Sequence, residues 1–185
     1  MPDLTETLTV ENIVASTSID QELNLERLAA DLDGVQYDPA NFPGLIYRLQ
    51  DPKATSLIFR TGKIVCTGAE SEPSAKTAIE HTMDELRMLE IAVSDNPSIT
   101  IQNIVSTGDL GERLNLNALA VSFGFEQVEY EPEQFPGLVY RLDEPNVVVL
   151  FFASGKLVIT GGKQPEDAQR AITAIHTKLE ERGLL

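Results

Sequence analysis

The amino-acid sequence predicts an α+β fold built from two copies of one unit. Phe42-Pro-Gly-Leu-Ile-Tyr-Arg-Leu49 returns as Phe135-Pro-Gly-Leu-Val-Tyr-Arg-Leu142 with seven of eight positions identical. Leu57-Ile-Phe-Arg-Thr-Gly-Lys-Ile-Val-Cys-Thr-Gly68 returns as Leu150-Phe-Phe-Ala-Ser-Gly-Lys-Leu-Val-Ile-Thr-Gly161, matching at seven of twelve. In each copy two stretches of helical apolar spacing flank short β-type runs bounded by turn residues. Two copies are too few for a solenoid, so a pseudo-twofold pair is the economical arrangement, divided as 1–96 and 97–185 near Asp95-Asn-Pro97.

Each copy opens with a strand, Thr7 to Ala15 or Ser98 to Ser106, containing Asn12-Ile-Val14 or Asn103-Ile-Val105. A helix follows, capped by Asn24 or Asn115, with Leu25, Leu28 and Leu32, or Leu116, Leu119 and Phe123, on one face. The next strands are punctuated by Asp51-Pro52, Thr61-Gly62, Glu144-Pro145 and Ser154-Gly155, which are hairpin turns. A long helix closes each copy. The first starts near Ser71 to Pro73 and carries Ala75, Ile79, Met83 and Leu86; the second starts at Pro165, carries Ala168, Ile172, Ile175 and Leu179, and ends at Gly183. The offset between copies is 91 early and 93 later, placing a two-residue indel near the first helix or the loop after it.

The strands are apolar on both faces. In Val147 to Phe152 odd and even positions alike are hydrophobic, and Leu57-Ile58-Phe59 behaves the same way. Helices cover one face of such a sheet, and an uncovered apolar face marks an interface. With Phe59 and Phe152 as markers, the uncovered face carries Leu57, Val65 and Thr67 in one copy and Leu150, Val158 and Thr160 in the other; Asn12 with Val14, and Asn103 with Val105, join it if the opening strands lie centrally. Aliphatic side chains with a few hydrogen-bonding groups suit a DNA minor groove, where adenine N3 and thymine O2 accept and the guanine amino group opposes an amide NH₂. Phe42 with Phe59, and Phe135 with Phe152, then read as apolar wedges for a base step.

Composition sets further bounds. The 185 residues are 42% hydrophobic, with 29 acidic and 14 basic residues and a net charge of −15. The hydrophobic content argues for a folded core, and no apolar run reaches membrane-spanning length. No charged-then-apolar leader opens the chain, so a cytoplasmic protein without membrane contact is expected. One cysteine, Cys66, and two histidines, His81 and His176, make a zinc site improbable, and no catalytic constellation or cofactor is expected. So much acid argues by itself against nucleic acid. Its placement reverses that argument: residues 42–68 hold four basic and one acidic residue, residues 135–163 three and two, a net +4 against −19 elsewhere.

These paired motifs, Asn-Ile-Val, Phe-Pro-Gly-Leu-(Ile/Val)-Tyr-Arg and Phe-x-(Ser/Thr)-Gly-Lys-x-Val-x-Thr-Gly, twice in order over residues 8 to 182, resemble the TATA-box-binding protein family. The acidity resembles its archaeal form from a salt-accumulating cell. The resemblance implies a saddle: a ten-stranded curved antiparallel sheet with four helices on its convex face. It implies a transcription initiation factor that kinks the minor groove of A·T-rich promoter DNA. By position, Phe42, Phe59, Phe135 and Phe152 kink, with Pro43 and Pro136 beside them; Asn12, Asn103, Thr67 and Thr160 hydrogen-bond centrally; Val14, Leu57, Val65, Val105, Leu150 and Val158 line the groove. Arg48, Lys63, Arg141, Lys156 and Lys163 fall where the family contacts phosphates. Glu131 and Glu133 fall where it engages transcription factor B, which recruits RNA polymerase. Glu11 and Glu70 depart from the family pattern, standing where Gln and a basic residue are usual.

Taken residue by residue, alternatives stay open. An isolated Phe is more often core than wedge, Asn in a strand is often an ordinary end residue, and Thr favours strands. An enzyme needs clustered ionisable groups in a cleft, which this face lacks. A homodimer formed in the absence of DNA would bury the same surface.

Overall fold

The computed structural model describes residues 3–185. The described residues form a short 3-10 helix (Leu4–Thr7), ten strands and four α-helices in the order β1 (Thr9–Ser18), α1 (Leu25–Asp31), β2 (Val35–Gln36), β3 (Leu45–Gln50), β4 (Lys53–Ile58), β5 (Lys63–Ala69) and α2 (Glu72–Met88), then β6 (Thr100–Asp109), α3 (Leu116–Phe123), β7 (Val128–Glu129), β8 (Leu138–Leu142), β9 (Val147–Phe151), β10 (Lys156–Gly162) and α4 (Pro165–Glu181). The α+β class and the strand and helix counts agree with the expectation. Two compact units result, Asn12–Gln102 and Asn103–Leu185, the latter completed by the residues up to Glu11.

The first unit orders its strands β2-β3-β4-β5-β1, all paired antiparallel; the second runs β6-β10-β9-β8-β7 by the same scheme. Alternation then sorts the side chains. Leu45, Ile58, Ile64 and Cys66 are wholly buried in the first unit, as Leu138, Val149, Phe151 and Leu157 are in the second. Their strand neighbours Ile46, Leu57 and Val65, or Val139, Leu150 and Val158, are only half-buried. Helix α2 lies on β4 and β5, and α4 on β10. Each presents an apolar stripe: Ala75, Ile79, Met83 and Leu86 from α2, Ala168, Ile172, Ile175 and Leu179 from α4. Burying the larger of these side chains, the isoleucines, leucines and Met83, supplies roughly 1.5–3 kcal/mol each, the main drive for docking the helices.

Local signals fix the helix starts. The Asn24 and Asn115 side chains each accept from a backbone N–H three residues on, at 3.1 Å, satisfying a donor the first turn leaves open. Ser71 caps α2, and Gln164 with Asp167 forms a capping box for α4. The opening strands differ from the sequence reading: they begin two residues later and run three further, to Ser18 and Asp109. Ser16 and Thr17 stay in the strand because they pair with Val65 and Ile64, which bury them.

The repeat boundary and the boundary of the compact units do not coincide. Leu4 and Leu8 pack on the core of the second unit, and the Thr7 hydroxyl accepts from the Asp109 backbone N–H at 3.0 Å. Gly108 leaves room for this segment: a Cβ there would come within 2.9 Å of Ile172 Cδ1 and 3.1 Å of Leu8 Cδ2. No helix of the described residues is long and apolar enough to cross a membrane.

Candidate nucleic-acid interface

The face of each sheet turned away from α2 or α4 gathers the half-buried residues into cross-strand rows. In the first unit Leu57 stands between Ile46 and Val65, and Val65 opposite Ser16; one row on, Thr55 stands between Arg48 and Thr67. In the second, Leu150 stands between Val139 and Val158, Val158 opposite Thr107, and Val148 between Arg141 and Thr160. The aliphatic and threonine residues singled out in sequence therefore share a surface within each unit. Ile46, Thr55, Val139 and Val148 belong to it too. Strict alternation through Leu-(Ile/Val)-Tyr-Arg would have found the first and third.

At one edge of each surface the chain makes a bulge that orients an asparagine. The register between β1 and β5 slips between Ala15 opposite Cys66 and Ile13 opposite Ala69, and Gly68 takes φ +89, a left-handed conformation that suits glycine. Asn12 Oδ1 accepts from the Gly68 backbone N–H at 2.6 Å, while its Nδ2 donates to Thr67 Oγ1 at 3.2 Å. The second unit repeats this: Gly161 at φ +97, Asn103 Oδ1 to the Gly161 N–H at 2.6 Å, and Nδ2 to Thr160 Oγ1 at 3.1 Å. Because a backbone N–H can only donate, the amide oxygen must face inward. The NH₂ keeps one hydrogen to offer, so each asparagine is presented as a donor.

The phenylalanines come from two different hairpins. Phe42 ends the loop before β3 and Phe59 follows β4, with its N–H donating to Lys63 O across the turn. Their rings stand 5.9 Å apart at 66°, edge to face; Phe135 and Phe152 stand 5.9 Å apart at 73°. A bare glycine lies under each pair. A Cβ on Gly44 would sit 2.8 Å from Phe42 Cε1 and 3.0 Å from Phe59 Cε1, and one on Gly137 2.7 Å from Phe135 Cε1 and 3.1 Å from Phe152 Cε1. The Phe-Pro-Gly motif thus encodes both a ring and the floor it rests on. Phe135 is 40% exposed, and Pro43 and Pro136 are exposed beside the pairs.

Cations fringe the surfaces. Lys63 and Lys156 begin β5 and β10 and are exposed; with Arg48 and Lys163 they form no ion pair among the described residues. Arg48 donates to Gln36 Oε1 at 3.2 Å, whereas its counterpart Arg141 lies 3.7 Å from the Glu129 carboxylate. Lys163 stands apart from the strand rows, at the β10–α4 junction, where its backbone N–H donates to Asp167. Glu11 accepts from Thr107 Oγ1 at 2.9 Å and, with Asp109, Phe152, Lys156 and Val158, lines a concavity of about 650 Å³. A concavity of about 610 Å³ in the first unit shares the Phe59, Lys63 and Val65 positions but opens instead toward Tyr37, Pro39 and Pro43 of the β2–β3 loop. Glu131 and Glu133 are exposed in the β7–β8 loop, where Glu131 O accepts from the Gln134 and Phe135 N–H groups at 2.9 Å.

Burial pushes the Cys66 thiol up to about 11, on the helix side of the sheet. His81 and His176 lie on α2 and α4 within ion-pair reach of Glu85 and Glu180. Among the described residues no cluster of three or more His, Cys, Asp or Glu is placed to hold a metal.

Known proteins match this arrangement. A family model described as transcription factor TFIID (or TATA-binding protein, TBP) matches residues 7–89 and 98–182. The chain is 60% identical over 185 residues to TATA-box-binding protein 1 of Haloferax volcanii, covering 100% of this chain and 98% of that protein. It is also 60% identical over 185 residues to TATA-box-binding protein E of Halobacterium salinarum, with full coverage of both. Among solved structures, Methanococcus jannaschii TBP aligns with a TM-score of 0.83 and 50% identity, over 94% of this chain and 98% of that one.

Proposed function

The chain belongs to the TATA-binding protein (TFIID) family, and from that premise we propose that it binds the minor groove of A·T-rich promoter DNA and kinks it with its two phenylalanine pairs. The observation that carries this reading is the asparagine geometry. Each amide is turned so that it donates outward, matching the acceptors at adenine N3 and thymine O2 and opposing the guanine amino group. Around each asparagine the half-buried aliphatic rows meet the apolar sugar walls. At the hairpin ends Phe42 with Phe59, and Phe135 with Phe152, wedge into a base step, the glycine floors keeping the rings raised.

Arg48, Lys63, Arg141, Lys156 and Lys163 take phosphates in this reading, and the Glu131/Glu133 loop receives transcription factor B, which recruits RNA polymerase. Affinity comes mainly from apolar burial. The −15 net charge then serves solubility in a salt-rich archaeal cytoplasm, where salting-out ions strengthen burial. Selection of bound sequences from a random duplex pool at increasing KCl tests this. We expect A·T-rich sites with affinity flat or rising with salt. A pool without A·T enrichment refutes the groove reading, and a decline near −0.9 log units per neutralised phosphate refutes the charge account.

A further inference from the structure

We propose that Val121 and Phe125 form the apolar anchor of a protein-docking surface on the second unit, fitted to a partner that offers an apolar socket ringed by lysine and arginine. The inference rests on the reading of the Glu131/Glu133 loop as partner-binding, and it extends that loop's surface to the end of α3. Phe125 is 78% exposed and Val121 72%, far more than the aliphatic rows of the candidate DNA surface. The buried face of α3 is Leu116, Leu119, Ala120 and Phe123, so Val121 points away from the core and belongs to no packing layer.

Phe125 is held rather than loose. Gly124 ends α3 at φ +87, Gln127 N–H donates back to Gly124 O at 3.1 Å, and Gln127 O accepts from the Arg141 N–H at 3.3 Å, closing a turn tied to β8. The Arg182 guanidinium lies 5.3 Å from the Phe123 ring centre and bonds the Ser122 carbonyl, pinning the helix end from below. A backbone turn already ordered before binding leaves only the side-chain rotamers to be fixed, which keeps the entropy cost of an anchor low.

The first unit has no equivalent. There α1 ends at Asp31, the span from its first residue through Asp33-Gly34 to β2 is two residues shorter than its counterpart, and Ala30 stands in the place of Val121. Acidity does not separate the two segments, since both lack basic residues; the apolar pair does. Residues 121–133 themselves carry Glu126, Glu129, Glu131 and Glu133 and no basic residue. Glu129 is paired to Arg141, and Arg182 is turned onto the Ser122 carbonyl. The exposed Glu126, Glu131 and Glu133, without an ion pair among the described residues, give the segment its acid excess, and charge complementarity selects a basic partner. It also opposes a second copy of this chain, which brings another −15.

The test is recruitment of purified transcription factor B to the full-length protein preassembled on an A·T-rich duplex, with V121S/F125S compared with E131K/E133K. The expected result for V121S/F125S is recruitment weakened about tenfold or more, with unchanged affinity for DNA and an unchanged melting temperature. Normal recruitment by V121S/F125S overturns the inference. If E131K/E133K then weakens recruitment, the loop reading stands without it; if neither does, both fall. If V121S/F125S changes only the protein's self-association in sedimentation, the pair is a contact between copies and the proposal is likewise overturned.

Discussion

In the first unit Asn12 meets the Gly68 N–H at 2.6 Å and the Phe42 and Phe59 rings stand 5.9 Å apart; in the second, Asn103 meets Gly161 at 2.6 Å and Phe135 and Phe152 stand 5.9 Å apart. Behind the same sheets the units part company. Tyr47 lies 6.4 Å from the His81 ring, and burial, with the charge of Glu85, holds its hydroxyl above the usual range. Its counterpart Tyr140 is buried, takes a 2.7 Å hydrogen bond from Lys178 and packs on Phe123. Cys66 is matched by Ile159, and Thr17 by Gly108. A core accepts many side-chain sets of suitable volume, so the helix side is free to diverge. The asparagine bulges and ring pairs, by contrast, keep their geometry in both copies, as the proposed groove contact would require of them.

Breaking the asparagine match has the largest expected effect. Asn103→Asp keeps the acceptor for the Gly161 N–H but sets a carboxylate against the groove's acceptors, and binding to an A·T-rich duplex should weaken by roughly 100-fold. Asn12→Asp should cost a similar amount, as titration of both variants would show; wild-type binding by either removes that asparagine from the interface.

Next comes the glycine floor. Gly137→Ala places a Cβ where Phe135 and Phe152 now rest, and displacing that edge-to-face pair should weaken binding by about five- to tenfold. Gly44→Ala should do the same in the first unit. A loss confined to one variant would show that the units are not used alike.

A smaller effect sharpens the contrast between Arg48 and Arg141. Glu129→Gln frees Arg141 from its carboxylate, making it resemble Arg48 beside Gln36, and should tighten binding about two- to threefold at low salt. No change at any salt concentration would mean that Arg141 takes no phosphate. Least affected is the helix side. With its pKa raised to about 11 the Cys66 thiol stays neutral below that pH, so at pH 8 its reaction with a thiol reagent should be on the order of 100-fold slower than in the unfolded chain. A rate equal to that of the unfolded chain would show that Cys66 is not held in the core.

How much of this was legible beforehand differs by kind of signal. The duplication, the asparagine caps and the apolar stripes of α2 and α4 are local patterns, and they read directly. Both apolar strand faces were visible as well, because Val147 to Phe151 leaves no polar side. The ends of β1 and β6 were not, since Ser16, Thr17 and Ser18 look like loop until their strand partners are known. Nor was the docking of Leu4 and Leu8 onto the second unit, which depends on a cleft over Gly108 that only tertiary packing creates. In the candidate site the residue types were legible but their orientation was not. Only the bulge at Gly68 and Gly161 shows which way the asparagine amides turn, and only the rings show why glycine follows Phe-Pro.

The central claim is that the paired phenylalanines bend DNA. Fluorescence transfer between the ends of an A·T-rich duplex, measured at saturating protein, reports that bend apart from affinity. We predict a sharp bend with the wild-type protein and a clearly smaller one with Phe42→Ala and with Phe152→Ala. A bend equal to wild type in both variants would contradict the account.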